Sequence, residues 1–182
     1  MKKLVCVSAL VLVLLVVWSG AALAAGATGN VNLLLGKKYL DDNVWDDRDL
    51  DEQDSVGLMF DINPAAWPIS IAADFLKSDD EGVAGIDGET QEIDLGVRWY
   101  SNPISQIVRF YAGGGLGLIE AEIEGESDDE FGLWLNGGIV FTIVKHLNLG
   151  LDLRYSMAEV ELYGEDVDAG GLTTSLLIGF HF

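Results

Sequence analysis

An acidic run over residues 41–52 is the first segment whose residue types could support chemistry. It has the length of an EF-hand calcium loop, but Trp45 and Asp46 occupy its fifth and sixth positions, where an oxygen ligand and a glycine are needed. The run therefore predicts no EF-hand. Looser binding of divalent cations by clustered carboxylates stays open, beside the simpler interpretation of a solvated, self-repelling segment.

Two other patterns resemble reaction centres and fail on geometry. The alternating glycines of segment 113–117 could cradle a phosphate only if a helix followed them, and the sequence after them predicts a strand. Ser175 and His181 share one face of the last predicted strand, but six residues at ~3.3 Å each separate them by about 20 Å. A nucleophile and its base need direct contact, so the sequence predicts no enzyme, cofactor or bound metal.

Composition narrows the class of protein. The 182 residues carry 30 acidic and 10 basic side chains, a formal charge of -20, which excludes a nucleic-acid-binding surface. A hydrophobic content of 49% excludes an acidic disordered chain. The single cysteine excludes a disulfide scaffold, so apolar and acidic residues must be segregated within an ordinary fold.

The N-terminus predicts export. Lys2 and Lys3 precede an uncharged apolar run from Leu4 to Trp18, and small residues follow with an Ala-x-Ala site that ends at Ala24. This is the arrangement of a secretory signal peptide, and the run is shorter than the ~20 residues of a spanning helix. We therefore expect residues 1–24 to be removed, leaving a mature domain of 25–182 with a charge of 8 − 30 = −22.

Period-two alternation of apolar and polar residues fills the mature chain, and no segment in it predicts a helix. In the sixth stretch, for example, Leu133, Leu135 and Ile139 share one face. The pattern predicts eight strands, at residues 29–40, 54–62, 69–77, 91–101, 107–121, 131–143, 147–160 and 171–182.

Short and long connections alternate strictly between these strands. Three are short, and the four longer ones, 41–54, 78–92, 120–130 and 159–168, hold 26 of the 30 acidic residues. Hairpin order places the four acidic segments at one end of the sheet and the short turns at the other. Short periplasmic turns opposite longer extracellular loops are the plan of a bacterial outer-membrane barrel, whose strands need about 9–11 residues to span the bilayer.

The remaining charges lie on the less apolar face of their strands. In a barrel of eight strands the interior is only wide enough for side chains, so these charges must pair inside it. We expect a lumen network with four charges of each sign, packed beside Tyr111, Trp134 and Asn136. Its predicted members are Lys38, Asp61, Asp74, Asp94, Arg98, Arg109, Asp152 and Arg154.

Aromatic residues gather near both ends of the strands, as expected where rings meet lipid headgroups. The predicted girdle at the short-turn end is Phe60, Trp67, Trp99, Phe110 and Phe141. The last strand carries Ile178 and Phe180 and ends at the aromatic Phe182, which resembles the assembly signal of outer-membrane barrels.

With the glycine-rich segment 111–117, these features resemble the small eight-stranded outer-membrane barrels of the OmpA/OmpX kind, in the outer membrane protein beta-barrel domain group. The resemblance covers residues 29–182 and implies an all-β, antiparallel, up-and-down transmembrane barrel in the bacterial outer membrane. It also implies contact with lipid, lipopolysaccharide and the outer-membrane assembly machinery, and a salt-bridged interior.

The expected function is that of a monomeric structural or surface-interaction protein that displays acidic extracellular loops. A narrow pore is the alternative. A lipid-modifying barrel enzyme fits less well, because the lumen and loops lack a convergent triad.

Overall fold

The computed structural model describes residues 26–40, 43–46, 49–64, 67–82, 86–104, 107–162 and 164–182. The predicted signal peptide, 1–24, lies outside these residues and stays a prediction. Eight strands close into an antiparallel barrel in which sequence neighbours pair and the first strand pairs with the last, as predicted. They are β1 Thr28–Tyr39, β2 Glu52–Asn63, β3 Ser70–Glu81, β4 Asp87–Tyr100, β5 Val108–Ile123, β6 Glu126–Ile143, β7 Leu147–Met157 and β10 Gly171–His181.

Alternation along each strand determines its two faces. On β6, Trp134 and Asn136 are buried in the lumen, whereas Leu133 and Leu135 are more than half exposed on the outer face. A slip of one residue would exchange the two sets, so the pattern specifies the register in which Leu135 pairs with Tyr155 of β7.

The acidic end differs from the sequence prediction. Segments 78–92 and 120–130 are mostly strand rather than loop, because β3, β4, β5 and β6 extend beyond their predicted ends. β5 and β6 are joined by a turn of only two residues, Glu124 and Gly125, both with positive φ (53° and 87°). Paired strand residues with φ > 0 at both turn positions form a tight hairpin, so this acidic segment is a paired ribbon and not an open loop.

Two small elements cover the acidic end. Segment 41–54, predicted as loop, contains a one-turn helix, α1, Asn43–Asp46. The predicted strand 147–160 is divided: β7 ends at Met157, and β8 Glu159–Leu162 pairs with β9 Glu165–Asp168 in a separate hairpin. Within the described part of the chain, no helix has the length and apolarity needed to cross a membrane.

Candidate functional site: the lumen and its two ends

Two arginines and three aspartates form an ionic layer across the middle of the lumen. Arg98 donates from Nη2 to Asp74 Oδ2 at 2.6 Å, and its Nη1 lies 3.5 Å from Asp61 Oδ2. Arg154 donates to both Asp74 and Asp94. Both arginines are 0% exposed. Because Asp74 contacts both guanidinium groups, the layer is one connected network that joins β2, β3, β4 and β7.

Aromatic and amide side chains complete this layer. The Trp134 ring centroid lies 4.8 Å from Cζ of Arg154 and 5.8 Å from Cζ of Arg98, so both cations stack near one indole. The Tyr111 hydroxyl donates to Asp152 Oδ1 at 2.6 Å, and Asn136 Nδ2 donates to the same oxygen at 2.9 Å. Asp152, which lies 4.0 Å from Arg154 Nε, is thus held mainly by neutral donors.

Glycines make room for the network. A Cβ at Gly113 would lie 2.6 Å from Asn136 Oδ1, and one at Gly117 would collide with the Asp94 carboxylate. Both positions face the lumen on β5. The glycine-rich segment therefore has a steric role, since bulky polar neighbours occupy the space that side chains there would need.

Lys38 pairs with Glu92, which the sequence prediction placed where predicted strand 91–101 overlaps acidic segment 78–92 and did not include in the lumen network. Its Nζ lies 2.7 Å from Glu92 Oε1 and also donates to Thr90 Oγ1 at 3.2 Å and to the Ala169 carbonyl at 2.8 Å. Glu92 is 2% exposed. The available signal was parity: Glu92 stands two residues before Asp94, on the same face of β4.

Arg109 is the predicted member that the structure places apart. Its side chain is half-buried near the short turns, where Nη2 donates to Thr142 Oγ1 at 3.3 Å and Cζ lies 4.9 Å from the Tyr100 ring centroid. Three buried cations, Lys38, Arg98 and Arg154, therefore face five buried carboxylates among the described residues, instead of the predicted four of each sign. The carboxylates are Asp61, Asp74, Glu92, Asp94 and Asp152.

Above the ionic layer, at the acidic end, the lumen becomes apolar. Trp45 of α1 is 0% exposed and donates from Nε1 to the Asp168 carbonyl of β9 at 2.9 Å. Around it pack side chains from the ends of β5 and from the β8–β9 hairpin. We call this cluster the apolar cap: Leu40, Trp45, Leu50, Ile119, Ala121, Ile123, Ala158, Val160, Leu162, Val167 and Ala169. The sequence prediction missed the cap because part of it, such as Trp45 and Val167, lay in acidic segments that were interpreted as loops.

Outside the cap, four carboxylates stand in direct cross-strand register. Asp54 pairs with Asp79, Asp79 with Glu89, and Glu89 with Glu122. We call these four residues the acidic row. Lys37 approaches Asp54 at 3.6 Å and Lys77 approaches Glu89 at 2.7 Å, so the repulsion within the row is only partly compensated. In the described ranges, no three His, Cys, Asp or Glu side chains are grouped so that they could hold a metal ion.

The outer wall carries the predicted girdle with one exception. Trp67, Trp99, Phe110 and Phe141 are exposed. Phe60 also lies on the outer parity but is only 6% exposed, because it packs with a cluster of neighbours. That cluster contains Ile62, Ala27, Ala73 and Phe182.

The predicted assembly residues lie on this same wall. Ile178 and Phe180 are exposed on the outer face of β10. Phe182 donates from its backbone N to the Gly29 carbonyl at 3.0 Å, which extends the closing seam between β10 and β1.

Comparisons with known proteins agree with this architecture. A family model described as "Outer membrane protein beta-barrel domain" matches residues 9–180. Among solved structures, OprG from Pseudomonas aeruginosa aligns with a TM-score of 0.62 at 14% identity, over 86% of this chain and 96% of that one. Neisserial surface protein A (NspA) gives 0.59 at 14% identity, over 86% and 95%.

Ail, the attachment invasion locus protein of Yersinia pestis, is also similar. It aligns with a TM-score of 0.56 at 13% identity, over 86% of this chain and 99% of that one. No curated protein sequence matches the chain.

Proposed function

Because the chain belongs to the outer membrane protein beta-barrel domain family, we propose that it is a plugged barrel that displays an acidic extracellular surface for interaction. Its location is the bacterial outer membrane, where its outer wall meets lipid and lipopolysaccharide. The proposal assigns the ionic layer and the apolar cap to closing the lumen, and the projecting hairpins to contact with a partner.

The observation that carries the proposal is the double closure of the lumen. Arg98 and Arg154 bridge strands from opposite parts of the barrel wall at one level, with Trp134 between them. The apolar cap seals the lumen a second time around Trp45. An eight-stranded barrel has little interior space to begin with, so the two closures in series favour a plug over a channel.

Planar-bilayer recording of the purified barrel tests the closure. We expect no stable conductance. A steady open-channel current from the unmodified protein would overturn the plug and favour the alternative of a narrow pore.

We further propose that the protein is not an enzyme. The two described histidine rings are engaged with groups that are not nucleophiles: His181 Nδ1 lies 3.0 Å from Asn30 Oδ1, and His146 Nδ1 lies 3.1 Å from the His181 carbonyl. Hydrolysis of phospholipid or lipopolysaccharide acyl chains by the reconstituted barrel would overturn this part of the proposal.

The partners proposed for the acidic end carry positive charge. The four carboxylates of the acidic row repel one another on paired strands, so basic peptide segments or divalent cations that bridge to lipopolysaccharide phosphates would relieve the repulsion. We also propose that the protein is a monomer and that its last strand engages the outer-membrane assembly machinery.

Binding of an oligolysine peptide to the barrel in nanodiscs tests the surface. We expect saturable binding that is weakened when Asp54, Asp79 and Glu89 are replaced by their amides. An oligoglutamate peptide serves as the control and should not bind. Equal oligolysine binding by the wild-type and the neutralised barrel would contradict the assignment of this surface.

A further inference from the structure

The short-turn end of the barrel holds a polar cavity whose floor is formed by Asp61 and Arg98 of the ionic layer. Its volume is about 390 Å³, and it lies at the mouth that the topology places on the periplasmic side. We call it the periplasmic vestibule. The residues that matter for its chemistry are Asn30, Asp61, Arg98, Tyr100, Arg109 and His181.

The carboxylate of this vestibule, Asp61, already accepts hydrogen bonds from neighbouring side chains. Asp61 Oδ1 accepts from Asn30 Nδ2 at 2.8 Å, and Asp61 Oδ2 accepts from the Tyr100 hydroxyl at 2.6 Å. Asp61 is only 1% exposed. The carboxylate therefore acts as a fixed internal partner and offers little to a cationic ligand.

Hydrogen-bond donors of the vestibule, by contrast, lack acceptors among the described residues. Arg98 is 0% exposed and uses Nη2 for Asp74, but its Nε and Nη1 find no hydrogen-bond acceptor among the described residues. The 3.5 Å approach of Nη1 to Asp61 is an ion pair without a formed hydrogen bond. Buried donors without acceptors are costly, so Nη1, which lies beside Asp61 of the vestibule lining, favours an additional oxygen ligand.

Arg109 is the second cation of the vestibule and lacks a carboxylate partner. Lys38, Arg98 and Arg154 each form an ion pair inside the lumen, whereas Arg109 forms none with the described residues. Its recorded contacts are the Thr142 hydroxyl and the face of the Tyr100 ring. Both contacts orient the guanidinium group and leave its charge uncompensated.

The surroundings of the mouth are also positive. Lys145 and the exposed His146 lie on the turn beside it, and a neighbouring cavity of about 470 Å³ is lined by Arg109, Lys145 and His181. The segments that hold 26 of the 30 acidic residues all lie at the opposite end of the barrel. The cations Arg109 and Lys145 therefore lie together at this mouth, away from the acidic segments, and favour an anionic ligand.

We propose that the periplasmic vestibule binds one oxyanion of the phosphate class, held between Nη1 of Arg98 and the guanidinium of Arg109. Planar guanidinium forks match the geometry of phosphate oxygens. The Arg98–Asp74–Arg154 network closes the lumen behind the vestibule, so the ligand binds in a dead end and does not pass through. The phosphate belongs either to a free anion or to a lipid headgroup of the inner leaflet.

Two binding measurements on the full barrel test the proposal and separate the sources. The first titrates inorganic phosphate into the barrel in a zwitterionic detergent and follows heat and the fluorescence of Trp67, which also lines the vestibule. The second compares nanodiscs of phosphatidylcholine with and without phosphatidic acid and counts retained phosphatidic acid by native mass spectrometry.

Arg109→Gln is the variant of choice because Arg109 has no carboxylate that the change would leave unpaired. We expect it to weaken binding by about tenfold or more, the effect of losing a charge-assisted hydrogen bond. Arg109→Lys keeps the charge without the planar fork and should recover part of the affinity. Lys77→Gln removes a cation at the other end of the barrel and serves as the matched control with unchanged binding.

Saturable binding of one inorganic phosphate per barrel, lost in Arg109→Gln, would support a free anion as the ligand. Retention of one phosphatidic acid per barrel with no response to inorganic phosphate, again lost in Arg109→Gln, would support a headgroup. Absence of binding in both measurements, or equal binding by the wild-type and Arg109→Gln barrels, would overturn the proposal.

Discussion

The two halves of β5 follow opposite rules of polarity. Near the short turns, Phe110 and Leu116 point outward, and the lumen side carries the polar Tyr111 hydroxyl. Toward the acidic end, Ile119 and Ile123 are buried inside, and their neighbours on the outer parity are acidic. The first half has the polarity of a membrane barrel, and the second half has that of a soluble barrel.

The same inversion occurs where β7 is followed by β8. Leu151 and Leu153 are exposed on the outer face of β7, whereas Val160 and Leu162 of β8 are buried in the apolar cap. We infer that the inversion marks the outer boundary of the hydrocarbon, with lipid around the first half of the barrel and water around the second. The interior of each half has the polarity opposite to that of its surroundings. An ionic layer lies inside the lipid-facing wall, and an apolar cap lies inside the water-facing extension.

The ionic layer should be the more sensitive closure. Arg154→Ala would leave Asp74 and Asp94 buried without this partner, and we expect the free energy of unfolding to fall by about 3–5 kcal/mol. Urea titration of the barrel in lipid vesicles, followed by electrophoretic mobility, measures it.

Lys77→Ala is the matched control for that variant, because it breaks a partly exposed ion pair with Glu89 on the outer face. It should cost less than about 1 kcal/mol. If both variants cost the same, burial does not govern the lumen pairs.

The apolar cap should fail locally and leave the barrel intact. Trp45→Ala removes the largest buried side chain of the cap and its bond to the Asp168 carbonyl, and we expect the local free energy of opening to fall by about 3–5 kcal/mol. Proteolysis of segment 41–54 should accelerate while the urea midpoint of the barrel stays in place. A parallel loss of barrel stability would show that the two closures are one cooperative unit.

Much of the membrane-embedded half could be predicted from the sequence, because lipid imposes one strict rule on every strand. Strand number, topology and the outward faces follow from parity alone. The water-exposed half could not be predicted in the same way. Glu122 was interpreted as a loop residue because the predicted strand ended at residue 121, although β5 continues to Ile123 with apolar residues such as Ile119 on its inner face.

The ion pairs inside the lumen also could not be predicted from the sequence. Parity shows which residues face inward, but it does not show which strands lie opposite each other across the lumen. Asp74 joins Arg98 to Arg154 across 24 and 80 residues of chain. Arg109 shares the inward parity, yet its position near the mouth separates it from every described carboxylate.

The outer wall should tolerate charge less well than the lumen. Leu135 is 58% exposed on the outer face, and Leu135→Arg should destabilise the barrel by about 2–4 kcal/mol if it lies near the midplane. Asn136→Arg places the same charge inside, beside the Asp152 carboxylate that Asn136 already contacts, and should cost less. Both are compared by urea titration in the same vesicles; equal costs would contradict the assignment of faces.

The smallest expected effect lies in the acidic row, which the water-exposed half carries on its outer face. Asp79 stands directly opposite both Asp54 and Glu89 and forms no ion pair with the described residues, so Asp79→Asn should stabilise the extension. Like charges in direct cross-strand register cost about 0.2–1 kcal/mol, and the gain should shrink as salt screens the row. Hydrogen exchange of the β3–β4 hairpin at low and high sodium chloride measures it.

Calcium at matched ionic strength should protect the wild-type hairpin more than sodium does, because a divalent ion can bridge neighbouring carboxylates. Equal protection by the two cations would reduce the effect to screening, and a destabilising Asp79→Asn would contradict net repulsion within the acidic row.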